Sequence, residues 1–128
     1  MKKAFSSDWK ASAQPRKQRK YKYNVPLHVA GGLVSAHLSK ELRQKHARRS
    51  IRVRKGDKVK VLRGSFKGQE AKVERVDVKR GKVYLQKLER VKKEGGVVPV
   101  AFNASNMMIV ALDLSDKKRS EKLKRKEE

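Results

Sequence analysis

The stretch RKGDKVKVLRGSFKGQEAKV, Arg54 to Val73, predicts two short β-strands joined by a glycine turn. Apolar residues stand at alternate positions before Gly64 and after Gly68, and this period of two is typical of a half-buried strand. Lys and Arg fill most of the intervening positions. We therefore expect a hairpin with one apolar face and one cationic face, whose turn uses the positive φ angles that glycine tolerates.

The same alternation continues on both sides of this hairpin and predicts a mainly β fold. Five short strands separated by glycine turns over residues 51–114 are typical of a small, strongly bent barrel. Pro99 cannot donate a ladder hydrogen bond, so the strand at Val97 to Val100 is expected at an edge or bulge. The turns are expected at Gly56-Asp57, Gly64 to Gly68, Lys79 to Lys82 and Gly95-Gly96. The inward-facing residues are expected to be Ile51, Val53, Val59, Val61, Ala71, Val73, Val83 and Leu85.

Three further segments complete the predicted organisation. They are a basic extension over 1–22, a short helical or loop segment over 23–50 and a charged tail over 115–128. The extension shows no periodicity and holds eight Lys or Arg against one acid, so we expect it to become ordered on RNA. The tail is expected to be frayed helix or coil with little function.

The segment over 23–50 contains signals for two short helices. Pro26 is suited to begin a helical turn, and Gly31-Gly32 would end it. Ser39 is a good N-cap for a second helix, whose first turn would hold Glu41, where the helix dipole favours an acid. Helices this short need a partner surface, either the core or RNA.

The charge of the chain indicates the class of its partner. The 128 residues include 36 Lys plus Arg against 13 Asp plus Glu, and the formal net charge is +23. Such a charge repels itself unless a polyanion neutralises it, so nucleic acid is the expected partner. The sequence has no long apolar run, no secretory leader and no Cys, so we expect neither membrane insertion nor disulfides, and a reducing cytosol suits it.

Motifs for catalysis and metal binding are missing from the sequence. His28, His37 and His46 stand nine residues apart and share no helix face, which disfavours a metal site. The stretch GSFKGQEAK fails the phosphate-loop pattern because Gln69 follows Gly68. We therefore predict no catalytic, cofactor-binding or metal-binding residue, no cofactor, no small-molecule substrate and no enzymatic activity.

The residues from Lys55 to Val73, KGDKVKVLRGSFKGQEAKV, resemble a KOW motif, which opens an SH3-like barrel in the proteins that carry it. The segments on either side of this motif narrow the resemblance to one family of KOW proteins. Val25 to Asp57 and Asn103 to Arg119 are similar to the archaeal and eukaryotic form of the large-subunit ribosomal KOW protein. The similarity runs from about Arg16 to Arg119, which is most of the chain.

This resemblance implies a structural constituent of the large ribosomal subunit in the cytoplasm. It implies direct binding to the 5′ region of large-subunit rRNA, action early in subunit assembly and a position near the polypeptide exit tunnel. The implied partners are large-subunit rRNA, neighbouring large-subunit ribosomal proteins and exit-tunnel factors. Two alternatives stay open at this point: a KOW-type transcription elongation factor that acts on RNA polymerase, and a basic chromatin protein that prefers duplex DNA.

The candidate rRNA-binding residues are mostly cations, because guanidinium and ammonium groups neutralise phosphates. Phe66, at the tip of the hairpin, is either a packing residue or a base-stacking contact. The residues predicted to contact rRNA are Arg16, Lys17, Arg19, Lys20, Lys40, Arg43, Arg48, Arg49, Arg52, Arg54, Lys55, Lys58, Lys60, Arg63, Phe66, Lys67 and Lys72. Gly64 and Gly68 are predicted to form the turn between them.

Overall fold

The computed structural model describes residues 5–8 and 11–127, with side chains up to Lys124. The predicted extension over 1–22 and tail over 115–128 therefore lie partly outside the described residues. The helices are α1 (Pro15–Asn24), α2 (Leu27–Leu33), α3 (Lys40–His46) and α4 (Lys117–Glu127). The strands are β1 (Ser35–Leu38), β2 (Ser50–Arg52), β3 (Lys58–Val61), β4 (Glu70–Asp77), β5 (Lys82–Val91), β6 (Val97–Asn103) and β7 (Met107–Ala111). A 3₁₀ turn at Ala104–Asn106 connects the last two strands.

The strands form one sheet of seven in the order β2-β1-β7-β3-β4-β5-β6. Strands β1 and β7 pair in parallel, and every other neighbouring pair is antiparallel. The mainly β prediction is confirmed. Within the described residues the two outer strands, β2 and β6, do not pair with each other, so hydrogen bonds do not close the sheet.

Strand β1 is an element that the sequence reading assigned to a helical or loop segment. It is four residues long, and only Ala36 and Leu38 carry its alternation. Its antiparallel pairing with β2 and its parallel pairing with β7 bury both side chains. A run this short gives too weak a periodic signal, so long-range pairing decided its conformation.

The core is one apolar cluster to which every strand contributes. Of the predicted inward-facing residues all are buried except Ala71, which is partly buried against the cluster. Val59 and Val61 in β3 are fully buried, and each such side chain stabilises the fold by roughly 1.5–3 kcal/mol. The edges of β3 pair with β4 and β7, and its apolar face is covered by the core residues that the other strands contribute.

The predicted turns all occur, and the short helices begin where expected. Ser39 caps α3, since its Oγ accepts a hydrogen bond from the Leu42 N–H at 3.4 Å. Helix α2 begins after Pro26, but the prediction that Gly31-Gly32 would end it was wrong. Neither glycine has the left-handed φ of a helix terminus, and the helix continues to Leu33.

The predicted extension contains a helix that its lack of apolar periodicity concealed. Pro15 occupies the first position of α1, where its fixed φ suits a helix and its missing N–H is not needed. Straight-chain residues such as Arg16, Lys17 and Gln18 follow it, and these lose little rotamer freedom in a helix. Propensity rather than amphipathicity therefore accounts for α1.

The C-terminal tail is more integrated than its composition suggested. Leu123, on helix α4, is only 2% exposed and belongs to the core cluster. Arg119, one turn earlier on the same helix, is also buried. Helix α4 thus covers part of the sheet, and the expectation of a frayed tail was wrong for its described side chains.

Strand β5 leaves the core near its middle. Lys87 has a left-handed φ of 63°, and the β5–β6 register shifts between Tyr84 and Glu89. Residues 89–99, which are the far ends of both strands and their turn, are all exposed. We call this part the β5–β6 arm. None of the described helices is long and apolar enough to cross a membrane.

Candidate nucleic-acid interface

The β3–β4 hairpin carries the predicted cationic face. Lys58 and Lys72 lie opposite each other across the two strands, and both are exposed. Lys60 is half-buried on the same face. The Lys58 Nζ lies 3.2 Å from the Glu70 Oε2, a solvent-exposed pair that contributes about 0.2–1 kcal/mol. The face therefore keeps most of its positive charge.

The turn of this hairpin presents further cations on a constrained backbone. Gly64 and Gly68 have φ of 95° and 87°, in the left-handed region that costs glycine nothing. The Gly68 N–H donates to the Val61 carbonyl at 2.8 Å and closes the turn. Arg63 and Lys67 are exposed beside these glycines. The turn is thus fixed by the backbone while its long side chains reach solvent.

Phe66 occupies the tip of this turn and packs inward. Its ring lies 5.7 Å from the ring of Phe102 at an interplanar angle of 74°, which is an edge-to-face contact. Phe66 is half-buried and packs against the core cluster. Of the two predicted roles, packing and base stacking, this position agrees with packing. Only the outer part of the ring is accessible to a base.

Helix α1 presents a second set of cations. Arg16, Lys17, Arg19 and Lys20 are all exposed. Tyr23, near the end of the same helix, is 89% exposed. Sequence reasoning did not single out this aromatic residue, although an aromatic within a cationic run is a recognised signal for base stacking.

The third set extends from α3 to the loop before β3. Lys40, Arg43, Arg49, Arg52, Arg54 and Lys55 are exposed and Arg48 is half-buried. The Arg43 Nε donates to the Leu38 carbonyl at 2.9 Å, and the Arg48 Nη2 donates to the Lys122 carbonyl at 3.0 Å. Arg54 forms an ion pair with Asp116. Arg43, Arg48 and Arg54 therefore also form contacts within the protein that stabilise its fold.

A buried ion pair lies beneath the third set. The Asp57 side chain is inaccessible to solvent, and the Arg119 side chain is 4% exposed. Arg119 binds both carboxylate oxygens, with Nη1 at 2.6 Å from Oδ1 and Nη2 at 2.7 Å from Oδ2. The backbone N–H groups of Arg54 and Asp113 donate to the same carboxylate at 3.0 and 2.9 Å. Arg119 also donates to the Asp113 and Arg52 carbonyls, at 2.9 and 3.1 Å.

This ion pair joins the start of the KOW-like stretch to the C-terminal helix. Because four donors satisfy the Asp57 carboxylate, its burial is compensated. Sequence reasoning treated Asp57 only as a turn residue and assigned Arg119 no role. One signal was present: Asp57 is the only acid between Glu41 and Glu70, within an otherwise cationic region.

Two partly exposed carboxylates, Asp113 and Asp116, flank the buried pair. Hydrogen bonds from the Ser115 backbone and side chain lower the pKa of Asp113 below its usual 3.8. The Arg54 side chain, which donates to the carboxylate, lowers the pKa of Asp116. Both groups are therefore charged at neutral pH, and they moderate the surrounding positive charge.

The described residues contain no group of three or more His, Cys, Asp or Glu that could hold a metal ion. What they present is a bent sheet whose surface and attached helices carry clustered Lys and Arg. That arrangement suits a protein that binds a polyanion through its backbone.

Comparison with known proteins assigns the family. The model of the family that comprises the eukaryotic ribosomal protein L26 and its archaeal counterpart matches residues 12–126. The chain belongs to this family, as the sequence resemblance predicted. The family consists of structural proteins of the large ribosomal subunit, in the cytoplasm, and not of enzymes.

A curated relative agrees with this assignment. The chain is 49% identical over 112 residues to the large ribosomal subunit protein uL24 of Methanospirillum hungatei JF-1. The alignment covers 88% of this chain and 93% of that protein. The family assignment removes the basis for the two alternatives, an elongation factor and a chromatin protein.

Proposed function

We propose that this chain is a structural constituent of the large ribosomal subunit that binds rRNA directly through its cationic surfaces. The observation that carries the proposal is the exposure of the candidate residues. Of the sixteen cations predicted from the sequence, all except the half-buried Arg48 and Lys60 are exposed. They lie on α1, on the segment from α3 to β3 and on the β3–β4 hairpin.

The mechanism combines a rigid sheet with cationic helices. Double-stranded RNA hides its major groove, so side chains read its shape and its phosphates. The sheet holds the hairpin cations at fixed positions, and α1 extends the charged surface along the chain. Each phosphate that Lys or Arg neutralises releases counterions, so binding is strong at low salt and weakens as salt rises.

The hairpin tip contributes in a more limited way than its sequence suggests. Since Phe66 packs on Phe102, a base that stacks on it would meet only its outer part. We propose that Gly64 and Gly68 let the hairpin backbone approach the RNA closely while Arg63 and Lys67 bind phosphates. Stacking on Phe66 is then a secondary contact.

The more specific parts of the proposal, which concern the rRNA region, the stage of assembly and the position in the subunit, rest on the family resemblance. We propose binding to the 5′ region of large-subunit rRNA, early action in subunit assembly and a position near the polypeptide exit tunnel. We also propose that the bent sheet has the SH3-like barrel architecture of KOW proteins, since all of its strands share one core.

The β5–β6 arm, with Val91 and Val97 exposed by 69% and 56%, is suited to contact a neighbouring ribosomal protein or an exit-tunnel factor.

Filter binding tests the central part of this proposal. The full chain is titrated against a transcript of the 5′ region of Methanospirillum hungatei large-subunit rRNA at several salt concentrations. We expect the logarithm of the association constant to fall linearly with the logarithm of salt concentration, with a slope of about −0.7 to −0.9 per phosphate contact. A slope near zero would refute electrostatic rRNA binding.

A competition experiment gives the control for specificity. Duplex DNA of the same length and charge is added to the preformed complex at fixed salt. We expect the structured rRNA to retain the protein, because RNA recognition depends on A-form shape and 2′-hydroxyl groups. Displacement by DNA at equal salt would instead favour a chromatin role.

A further inference from the structure

Helix α4 and strand β2 form the two sides of a cleft on the surface of the protein. The cleft has a volume of about 430 Å³, and α2 and β1 also contribute residues to it. We call it the α4–β2 cleft. Its basic lining residues are His28, Arg48, Arg52, Arg54, Lys118 and Lys122, with the buried Arg119 beneath them. No Asp or Glu is among the described residues that line it.

Several of these cations have no acidic partner within the described part of the chain. Arg54 is paired with Asp116, and Arg119 is paired with Asp57. Arg52, Lys118 and Lys122 form no ion pair with a described acid. The cleft therefore concentrates positive charge, which the neighbouring Asp116 offsets only in part, from two elements that are more than sixty residues apart in sequence.

Arg48 adds a polar group that lacks an acceptor. Its Nη2 donates to the Lys122 carbonyl at 3.0 Å, which fixes the guanidinium against α4. Its Nε is buried and has no hydrogen-bond partner among the described residues. A buried N–H without an acceptor is costly, and because Arg48 lines the cleft, an anion bound to its guanidinium would offset part of this cost.

The position of the Arg52 side chain depends on the absence of a Cβ at Gly31. Its guanidinium lies where a Cβ of Gly31 would be, with Nη2 only 2.6 Å from that point. Gly31 is buried in α2, and its small size lets the guanidinium rest against the helix backbone. This explains why a glycine occurs inside α2 although the helix does not end there.

We propose that the α4–β2 cleft binds a phosphate of the rRNA backbone through Arg48, Arg52, Lys118 and Lys122. The inference rests on the proposed rRNA binding and adds a specific site to it, with two residues of a helix to which sequence reasoning assigned little function. Small-molecule pockets are mostly apolar, whereas this lining is mostly cationic. A guanidinium fork and paired ammonium groups match a phosphodiester on a polyanionic chain.

The test compares two double variants of α4 in the full chain. Lys118→Ala with Lys122→Ala removes two cations from the cleft. Lys117→Ala with Lys124→Ala removes two exposed cations from outside it, so the net charge changes equally. Affinity for the Methanospirillum hungatei rRNA transcript is measured by filter binding over a range of salt. We expect the first variant to bind about tenfold more weakly, with a shallower salt slope, and the second to change much less.

A second variant probes Arg52 without removing any charge. Gly31→Ala places a methyl group where the guanidinium rests, and the tip of that flexible side chain must move. The substitution favours the helix intrinsically, so folding is expected to be retained, as circular dichroism would verify. We expect weaker RNA binding at unchanged net charge.

The outcomes separate this inference from the proposed function. If the wild-type chain does not bind the transcript, rRNA binding itself is refuted. If the wild type binds but the two double variants lose affinity equally, or Gly31→Ala binds normally, only the cleft is refuted. If Lys118→Ala with Lys122→Ala weakens binding to poly-glutamate but not to the transcript, the cleft is a site for an acidic protein segment and the proposal is overturned.

Discussion

The β3–β4 hairpin and the β5–β6 arm are both antiparallel, rich in valine and closed by a glycine turn, yet they differ in burial. In the hairpin, Val59 and Val61 are inaccessible to solvent. In the arm, Val91 and Val97 are 69% and 56% exposed. The apolar side chains of the hairpin therefore stabilise this chain by itself, whereas those of the arm find no cover among the described residues.

The difference arises from what lies against each pair of strands. The hairpin is flanked by β7 and shares its core with the Leu123 side chain of α4. The arm begins after Leu88, the last core residue of β5, which follows the left-handed Lys87 and lies where the β5–β6 register shifts. Alternation along a strand thus reports burial only where another element covers the apolar face.

The largest expected effect comes from breaking the buried Asp57–Arg119 ion pair. Asp57→Asn leaves the Arg119 guanidinium buried without a counter-charge, so we expect a loss of about 3–5 kcal/mol in the free energy of unfolding. Urea denaturation measures it. The matched control is Glu70→Gln, which breaks the exposed pair with Lys58 and should cost about 1 kcal/mol or less. Equal effects would mean that the buried pair does not stabilise the fold.

A comparable but smaller effect is expected from the C-terminal helix. Leu123→Ala leaves a cavity in the core cluster, and such truncations cost about 2–5 kcal/mol. Leu114→Ala is the control, since Leu114 is 43% exposed. Thermal unfolding of both variants measures the two losses of stability. If the tail frayed from the sheet, the two substitutions would lower the stability equally.

The two glycine turns provide a direct comparison of the hairpin with the arm. Gly68 and Gly95 have similar φ angles of 87° and 91°, and a Cβ at either would meet no atom within 4 Å. Gly68→Ala should cost roughly 1–2 kcal/mol through backbone strain alone. Gly95→Ala should lower the free energy of global unfolding less, because the arm can relax without disturbing the core. Chemical denaturation of both variants measures the difference, and an equal loss would indicate that the arm folds cooperatively with the sheet.

The exposed valines of the arm should matter little for the isolated chain. Val91→Ser with Val97→Ser is expected to change the free energy of unfolding by about 0.5 kcal/mol or less. If the arm contacts a neighbouring protein, the same variant should be released from large subunits at lower salt than the wild type. Retention at equal salt in a sucrose-gradient assay would show that the arm has no such contact.

The smallest expected effect is the pH dependence of the flanking carboxylates. The pKa of Asp116 is lower in the folded chain than its usual 3.8, because Arg54 donates to it. Its contribution to stability is therefore present above about pH 4 and is lost as the pH falls through the folded-state pKa. Asp116→Asn should flatten the stability profile in this acidic range and leave neutral pH almost unaffected. An unchanged profile would show that the Arg54 contact is not maintained in solution.

Much of the fold was predictable because its signals are local. Alternating residues such as Val59 and Val61, the glycine turns and the Ser39 cap each depend on a few neighbouring residues. Strand β1 and helix α1 were missed for opposite reasons. Strand β1 is too short for its period to show, and α1 has propensity without an apolar face.

The candidate interface was predictable as a set of residues but not as an arrangement. Exposure of Lys58 and Lys72 follows from the inward position of the apolar residues around them, and exposure of the α1 cations follows from the strongly polar composition of that helix. The internal contacts of Arg48 and Arg54 with α4 and with Asp116 join residues more than sixty positions apart, which no local pattern reveals. The predicted rRNA contacts themselves stay predictions for the binding experiments.

The amino-acid sequence alone predicted the hairpin and its two chemically distinct faces and indicated a polyanionic partner, because period, glycine position and net charge are properties of neighbouring residues and of composition. The family followed from the resemblance of the motifs. Only the tertiary structure decided that Asp57 and Arg119 form a buried ion pair, that the tail is a packed helix, and that residues 89–99 of the arm are exposed. Those features depend on which distant elements come together, and the free energy of a buried charge or a covered valine is set by that environment.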